Sequence, residues 1–318
     1  MRVLRAAAFW LAFLLGLAWA ATALWVQFPG APWVLALLAL AALGVIWARL
    51  QTRWGWAALA ACAAVIGLWY FSLTPRLDRD WADDVAHIVT ADISDDQVTL
   101  HNVRNFRWTD DSSAQEHWET RSYDLSKLVS ADVLTSSWSS PAIAHLLVSF
   151  GFSDGQRVVF SVEIRKEKGE AFSSIGGFFR QFELALIAAD EADIVKLRTD
   201  FRGEDVHLYP VNLPPEALRT MFLQYVDLGN RISAQPEFYN TVTANCTSVV
   251  WGLSHALKAD VPWDRSLVFS GYLPEFLMRM GILQGAGTLN DIIQRAAISA
   301  KAKALPDGAD FSAGIRAP

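Results

Sequence analysis

The chain has 318 residues, 53% of them hydrophobic, and its mean hydropathy of +0.23 is higher than that of a typical soluble enzyme. The formal net charge is −6, but residues 1–75 contain four arginines and no Asp, Glu or Lys, so residues 76–318 carry −10. This acidic charge argues against nucleic-acid binding and against a polybasic patch that docks on anionic lipid headgroups. The chain therefore has an apolar part and an acidic part.

Three apolar runs in residues 1–75 predict transmembrane helices, since a helix needs roughly 20 apolar residues to cross the hydrocarbon core of a bilayer. The runs cover residues 6–26, 33–47 and 55–73. We therefore predict a membrane anchor at 1–75 with about three transmembrane helices. The alternative for the first run is a cleavable signal peptide, because residues 18–23 offer small side chains to a peptidase.

The basic residues of the anchor predict its orientation, because Lys and Arg are retained on the cytoplasmic side of a membrane. If the three helices alternate in direction across the membrane, one side of the membrane contains all four arginines, Arg2, Arg5, Arg49 and Arg53. The third helix then delivers the rest of the chain to the opposite face. We predict a multi-pass protein of the bacterial inner membrane with its large C-terminal domain in the periplasm.

Residues 76–305 are numerous enough for one domain with a complete core. Alternation and β-branched content predict strands at 85–93, 97–106, 117–125, 128–136, 143–152, 157–165, 183–189 and 206–213. Helical patterns cover 177–181, 215–234, 242–258, 273–280 and 291–303. The fold class predicted is α+β, and residues 306–318, rich in Gly, Ala and Pro, are predicted to form a flexible tail.

Cys62 and Cys246 are the two cysteines of the chain. Cys62 lies in the third predicted span and Cys246 in the acidic domain, so the two cannot pair. An exported domain in an oxidising compartment normally pairs its cysteines or avoids them. Cys246 is therefore a candidate reactive thiol, and the alternative is a small buried hydrophobic side chain.

The residues around Cys246 predict that it opens a helix. Apolar side chains recur at helical spacing from Val249 to Leu257, and Thr243 or Asn245 can act as the N-cap. Cys246 then lies in the first turn, where unpaired backbone N–H groups and the helix dipole stabilise a thiolate.

A thiol nucleophile needs a histidine that takes its proton, and His145 is the best candidate among the six in the chain. It opens the apolar strand that precedes a predicted hairpin turn at Ser153–Gln156, where Asp-Gly supplies positive φ values. His255 is nine residues past Cys246 on the same predicted helix, roughly 13 Å away at 1.5 Å per residue, which is too far.

The return strand of this hairpin supplies a candidate third member of the site. Mirroring the strands about the turn places Glu163 or Ile164 opposite His145, so Glu163 could orient the imidazole. The alternative for Glu163 is an ion pair with Arg165 or Lys166.

Four strings in this domain resemble the bacterial Lnb N-terminal periplasmic domain family. They are SSPAIAHLLVSFGFSDGQRVVFSVEIRKEKGE (139–170), FFRQFELALIAADEADIVKLRT (178–199), VHLYPVNL (206–213) and PEFYNTVTANCTS (236–248). The likeness covers roughly residues 80–283. It implies a permuted papain-like (NlpC-type) thiol enzyme with an antiparallel sheet and a helical C-terminal part, in which His precedes Cys. Carried over by position, it makes Cys246 the nucleophile, His145 the base and Glu163 the third member.

The activity that the resemblance implies is transfer of an acyl chain to the N-terminus of a bacterial lipoprotein. Asn245, Ser161, Arg165 and Tyr239 are candidates for oxyanion or substrate contacts, with Ser161 the fallback orienter of His145. In the protein that gives the family its name the membrane part follows this domain, whereas here the helices come first.

The sequence thus predicts an envelope thiol acyltransferase whose partners are membrane lipid and lipoprotein. No metal-ligand spacing and no Gly-rich phosphate loop occurs in the sequence, so no cofactor is predicted. Two alternatives stay open, a cell-wall thiol peptidase or amidase and a non-catalytic envelope interaction protein.

Overall fold

A computed structural model describes residues 2–138, 140–247, 264–267, 269–306 and 308–317. The chain divides into two compact units. The first combines Met1–Arg76 with two short segments, Phe172–Glu183 and Phe238–Thr241, and the second contains the rest. The architecture is α+β, with three apolar helices, then a sheet-containing domain, then C-terminal helices, as predicted.

Three helices of the first unit are, by length and composition, able to cross a membrane: α1 (Arg2–Gln27), α2 (Pro32–Gln51) and α3 (Gly55–Ser72). Their bounds agree with the three predicted runs to within a few residues. Proline begins α2, where its fixed φ suits the first turn and its missing N–H costs no hydrogen bond.

The helices of the first unit pack around a small apolar cluster. Phe9 and Phe13 of α1 and Val45 of α2 are buried in it, and Cys62 of α3 packs against it. The guanidinium of Arg49 lies 5.1 Å from the ring centroid of Phe9.

A short helix, α4 (Ser174–Phe178), belongs to the same unit. It begins three residues before the predicted start, because the Ser173 side chain accepts a hydrogen bond from the Gly176 N–H and caps it. A β-bridge between Glu183 and Phe238 joins the two short segments.

Among the described residues, eight strands of the second unit form one sheet in the order β1-β2-β9-β8-β7-β6-β10, with β5 paired to β2. Adjacent strands β6, β7 and β8 are antiparallel, whereas β2 and β9 are parallel. The strands are β1 (Thr90–Ser94), β2 (Gln97–Arg104), β5 (Trp118–Asp124), β6 (Leu128–Ser137), β7 (His145–Phe152), β8 (Arg157–Arg165), β9 (Glu183–Ala189) and β10 (Asp205–Val211), and a separate pair joins β3 (Arg107–Trp108) to β4 (Ala114–Gln115).

The predicted hairpin between β7 and β8 is present. Gly155 adopts φ +87°, and its N–H donates to the Phe152 carbonyl. The register pairs Leu147 with Ser161, so each strand residue has a fixed partner across the turn.

In the described part of the second unit the α-helices are α5 (Glu191–Lys196), α6 (Pro215–Ala234), α7 (Leu273–Arg279), α8 (Leu289–Ala296), α9 (Ser299–Ala304) and α10 (Phe311–Gly314). A π-helical turn, Leu197–Phe201, follows α5. Of the predicted helix 242–258, Cys246 and Thr247 are helical, and residues 248–258 lie outside the described part.

Aromatic side chains bind α6 to one face of the sheet. Tyr225 stacks on Phe160 with ring centroids 5.0 Å apart, and Phe222 lies edge-on to Phe150 at 5.2 Å. Phe150 of β7 and Phe160 of β8 occupy even positions, so the odd positions of both strands face the other side.

Two secondary-structure predictions differ from the structure, and one helix was not predicted. The strand predicted at 85–93 begins only at Thr90, because residues 83–85 form a 3-10 turn. The helix predicted at 291–303 breaks between α8 and α9, where the Ile298 N–H donates to Val206 of β10. The helix α5 and its π turn were not predicted, since α5 has only six residues, fewer than two helical turns.

The C-terminal residues, predicted as a flexible tail, are instead packed on the second unit. Phe311 and Ile315 are buried, and Asp310 caps α10. Arg316 forms ion pairs with Asp132 at 2.5 Å and Glu191 at 2.6 Å. These contacts order the C-terminal residues, although a Gly- and Ala-rich composition favours disorder.

Candidate active site

His145 is the first residue of β7, and its imidazole contacts two side chains of the neighbouring strand β8. Its Nε2 lies 2.7 Å from Ser161 Oγ and 3.1 Å from Glu163 Oε1. Ser161 Oγ in turn donates to Glu163 Oε1 at 2.6 Å. All three occupy odd positions, so they share the sheet face opposite α6. Glu163 therefore lies beside His145, where the hairpin register predicts it.

A buried arginine holds the other side of Glu163. The side chain of Arg198 is 4% exposed and donates to Glu163 Oε1 at 2.9 Å and to the Ile194 carbonyl at 2.9 Å. It lies in the π-helical turn after α5, an irregularity that is frequent at functional sites. Arg198 thus supplies a positive charge to a carboxylate that is mostly shielded from water.

A second carboxylate completes this network. Glu204 Oε2 lies 4.0 Å from Arg198 Nε, and Ser136 of β6 donates to the same carboxylate. Ser136 pairs with His145 in the β6–β7 register. The polar groups therefore run across three adjacent strands, from β6 through β7 to β8.

Cys246 begins a helical turn that Asn245 caps. Asn245 Oδ1 accepts a hydrogen bond from the Thr247 N–H at 2.9 Å, which is the predicted N-cap arrangement. The His145 side chain and the Leu146 backbone N–H both act on the Cys246 thiol, which lies 3.9 Å from Thr247 Oγ1.

The charges around this pair favour a thiolate and an imidazolium. Burial alone would raise the pKa of Cys246, but the hydrogen bond and charge of His145 outweigh it, and the pKa is lowered. Burial alone would lower the pKa of His145, but the Glu163 carboxylate and the bond to Cys246 raise it to about 9. The sulfur can therefore lose its proton while the imidazole keeps one.

The carboxylate of Glu163 stays ionised in this setting. Burial alone would raise its pKa, but the charges of His145 and Arg198 hold the pKa well below its usual range. A proton on His145 is consequently not passed on to Glu163.

The two alternative partners considered for Glu163, which are Arg165 and Lys166, interact with other groups. Arg165 donates to the Val85 and Ala86 carbonyls at 3.1 and 2.6 Å, and its guanidinium lies 4.4 Å from the Trp81 ring centroid. Lys166 Nζ lies 3.4 Å from a carboxylate oxygen of Asp84. Arg165 is 5% exposed, so its side chain serves the packing of the strand end.

The remaining candidates occupy different places. Ser161 bridges His145 and Glu163, and Asn245 is the helix cap described above. Tyr239 belongs to the first unit, where its N–H donates to the Phe182 carbonyl at 3.0 Å. The oxyanion and substrate roles of these residues stay predictions.

Sequence reasoning missed Arg198, Glu204 and Ser136. A signal for Arg198 does exist, because it follows Ile194 by four residues and therefore shares the apolar face of a helix, where an unpaired arginine is rare. The sequence carries no comparable signal for Glu204 or Ser136. The contact between these two side chains depends on the path of the chain from the π turn to β10.

Comparison with known proteins gives one match. No curated protein and no solved structure matches the chain. Residues 114–271, which include His145, Glu163, Arg198 and Cys246, match the family model described as Lnb N-terminal periplasmic domain. Together with three helices apolar enough to span a membrane, this match shows a membrane-anchored envelope protein with a periplasmic domain that resembles this family.

Proposed function

We propose that the chain is a thiol acyltransferase of the bacterial inner membrane, which takes an acyl group from a lipid onto Cys246 and transfers it to a lipoprotein amine. The observation that supports this most is the pairing of Cys246 with His145, backed by Glu163. Such a Cys–His pair activates a thiol for attack on an acyl carbonyl.

In the first step the Cys246 thiolate attacks the ester carbonyl of the lipid. The carbon–oxygen bond to the leaving alcohol breaks, and the His145 imidazolium gives that alcohol its proton. The product is an acyl thioester on Cys246. Backbone N–H groups at the start of the capped helix are the donors expected to stabilise the oxyanion.

In the second step the neutral His145 takes a proton from the attacking amine. The amine nitrogen forms a bond to the acyl carbon, the carbon–sulfur bond breaks, and the thiolate returns. Glu163 contributes in both steps by supporting the charged imidazole, without receiving the proton itself. If water replaced the amine, the same site would act as a hydrolase.

The experiment that tests this proposal is mass spectrometry of full-length protein incubated with phospholipid vesicles. We expect an acyl adduct on the peptide that carries Cys246, and neutral hydroxylamine should remove it because a thioester is more labile than an oxyester. Cys246→Ser is the matched variant and should lack the labile adduct. Cys62 serves as an internal control, since acylation of both cysteines would indicate unspecific modification.

An unmodified Cys246 after incubation with lipid would contradict the acyltransferase proposal. Release of soluble cell-wall peptides by the same preparation, abolished in Cys246→Ser, would support the peptidase or amidase alternative instead.

A further inference from the structure

Three large apolar side chains are exposed in and beside α4 of the first unit. Phe172, Ile175 and Phe178 are 54%, 49% and 47% exposed. Apolar side chains of this size in one short stretch are unusual on a surface that faces only water, and they mark contact with a partner or a membrane.

The segment that carries these side chains is bound to the ends of the membrane helices. The side chain of Gln27, at the last residue of α1, donates to the Phe179 and Arg180 carbonyls at 2.7 and 2.9 Å. Arg180 in turn donates to the Tyr70 and Leu73 carbonyls at the end of α3, at 2.9 and 3.2 Å. The segment therefore lies at the end of α1 and α3 where the chain leaves the helices for the larger domain.

Arg180 makes these contacts from an unusual backbone conformation. Its φ of +58° lies in the left-handed region that a non-glycine residue adopts only when its surroundings require it. Its guanidinium lies 4.7 Å from the Tyr70 ring centroid and 5.3 Å from that of Phe71. The charge of Arg180 is thus used at the helix ends, where a cation offsets the partial negative charge of the carbonyls.

Exposed aromatic side chains continue from the segment onto the helix ends. Phe71 at the end of α3 is 75% exposed, Trp25 in the last turn of α1 is 58% exposed, and Trp33 at the start of α2 is 62% exposed. Aromatic residues at this level of a transmembrane helix are typical of the membrane–water interface. The apolar side chains of the segment therefore lie at the same end of the first unit as these exposed aromatic residues.

We propose that residues 172–180 are a lipid-contacting element, in which Phe172, Ile175 and Phe178 lie in the periplasmic leaflet of the bilayer that the three helices span. A short helix with apolar side chains on its outer surface suits the boundary between headgroups and acyl chains. This proposal does not depend on the chemistry of Cys246.

The element is also bonded to the segment that precedes Cys246 in the chain. Thr241 Oγ1 donates to the Ser174 carbonyl at 2.9 Å. A Cβ on Gly177 would come within 2.4 Å of Thr241 Oγ1 and 3.1 Å of the Tyr239 ring, so the contact is close enough to require glycine. The element is therefore held by a segment that ends five residues before the thiol in the sequence.

The test measures membrane depth by spin labelling of the full chain, reconstituted in vesicles of phosphatidylethanolamine and phosphatidylglycerol. The background is Cys62→Ala with Cys246→Ser, so that a single new cysteine carries the label. Ile175→Cys and Phe172→Cys report on the element. Leu68→Cys on the outer surface of α3 is the lipid reference, and Val129→Cys, an equally exposed apolar position of the second unit, is the water reference.

Labels at 175 and 172 should collide more often with oxygen than with a water-soluble nickel chelate, with a ratio near that at 68. The label at 129 should instead collide more often with the nickel chelate than with oxygen. A water-like ratio at 175 overturns the proposal, whatever the value at 172, and it is also the result expected if the surface binds another protein. The outcome is independent of turnover, so a failure here leaves the acyltransferase proposal intact.

Discussion

Replacing Glu163 by Gln is the sharpest test of the charge arrangement at the thiol. The substitution keeps the size of the side chain and removes its charge, 3.1 Å from His145 Nε2. Two unit charges at that separation attract by about 5 kcal/mol at an effective dielectric constant of about 20. Part of this attraction offsets the cost of burying both groups, so the net effect is smaller.

The net effect appears in the pKa of His145. A value of about 9 in place of 6.5 corresponds to about 3 kcal/mol, at about 1.4 kcal/mol per pKa unit. In Glu163→Gln the effect of burial dominates, so the imidazole is neutral near pH 7 and no longer stabilises the thiolate. We expect the pKa of Cys246 to rise by at least about one unit, and alkylation at mildly acidic pH to slow about tenfold.

The assay is the rate of iodoacetamide alkylation of Cys246 as a function of pH, in a Cys62→Ala background. Glu119→Gln is the matched control, because Glu119 is similarly exposed and is also paired with an arginine, Arg121, at 2.6 Å. Ser161→Ala should shift the profile less than Glu163→Gln, since it leaves the two charges in place. An unchanged profile in Glu163→Gln would refute the reasoning, and a shift only in Ser161→Ala would make Ser161 the orienter.

Melting temperature gives a second readout with a defined sign. A histidine whose folded pKa is raised contributes stability that is fully present below its unfolded pKa of 6.5 and is lost as pH rises through about 9. Glu163→Gln should therefore melt earlier than the unsubstituted protein at pH 6, and the difference should shrink as the pH rises through about 9.

Two further predictions concern the topology and the buried arginine. A reporter fused after Pro75 should be active in the periplasm and one fused within Leu50–Arg53 in the cytoplasm, and cytoplasmic activity after Pro75 would refute the orientation. Arg198→Met should lower the free energy of unfolding by about 3–5 kcal/mol, because it removes the buried cation that the partly exposed Glu163 and the buried Glu204 share. Arg219→Met, which breaks an exposed pair with Asp96, should cost at most about 1 kcal/mol in the same denaturation experiment.

The parts of the site that could be predicted are those set by local rules. The Asp-Gly turn fixes the β7–β8 register, and the register alone brings Glu163 to His145. The asparagine before Cys246 predicts the helix cap because its side chain can satisfy a nearby backbone N–H. Each of these inferences needs only a stretch of about twenty residues.

The parts that could not be predicted depend on distant segments. Arg198 reaches Glu163 from a π-helical turn 35 residues further along the chain. The C-terminal α10 is ordered by ion pairs with Asp132 and Glu191, far earlier in the sequence. Alternation along β8 predicts that Ser161 and Glu163 share a face of the sheet. It does not predict that the Ser161 hydroxyl bridges the carboxylate and the imidazole, because that contact depends on side-chain rotamers.

The position of Arg198 explains why Glu163 suits the proposed mechanism. Burial alone would raise the pKa of Glu163, and the charge of Arg198 acts together with that of His145 to lower it. With Arg198 on its other side the carboxylate remains charged, so the proton stays on the imidazole, from which the leaving alcohol can take it. The arginine therefore helps to keep the proton on His145, and its second partner Glu204 lies 4.0 Å from it.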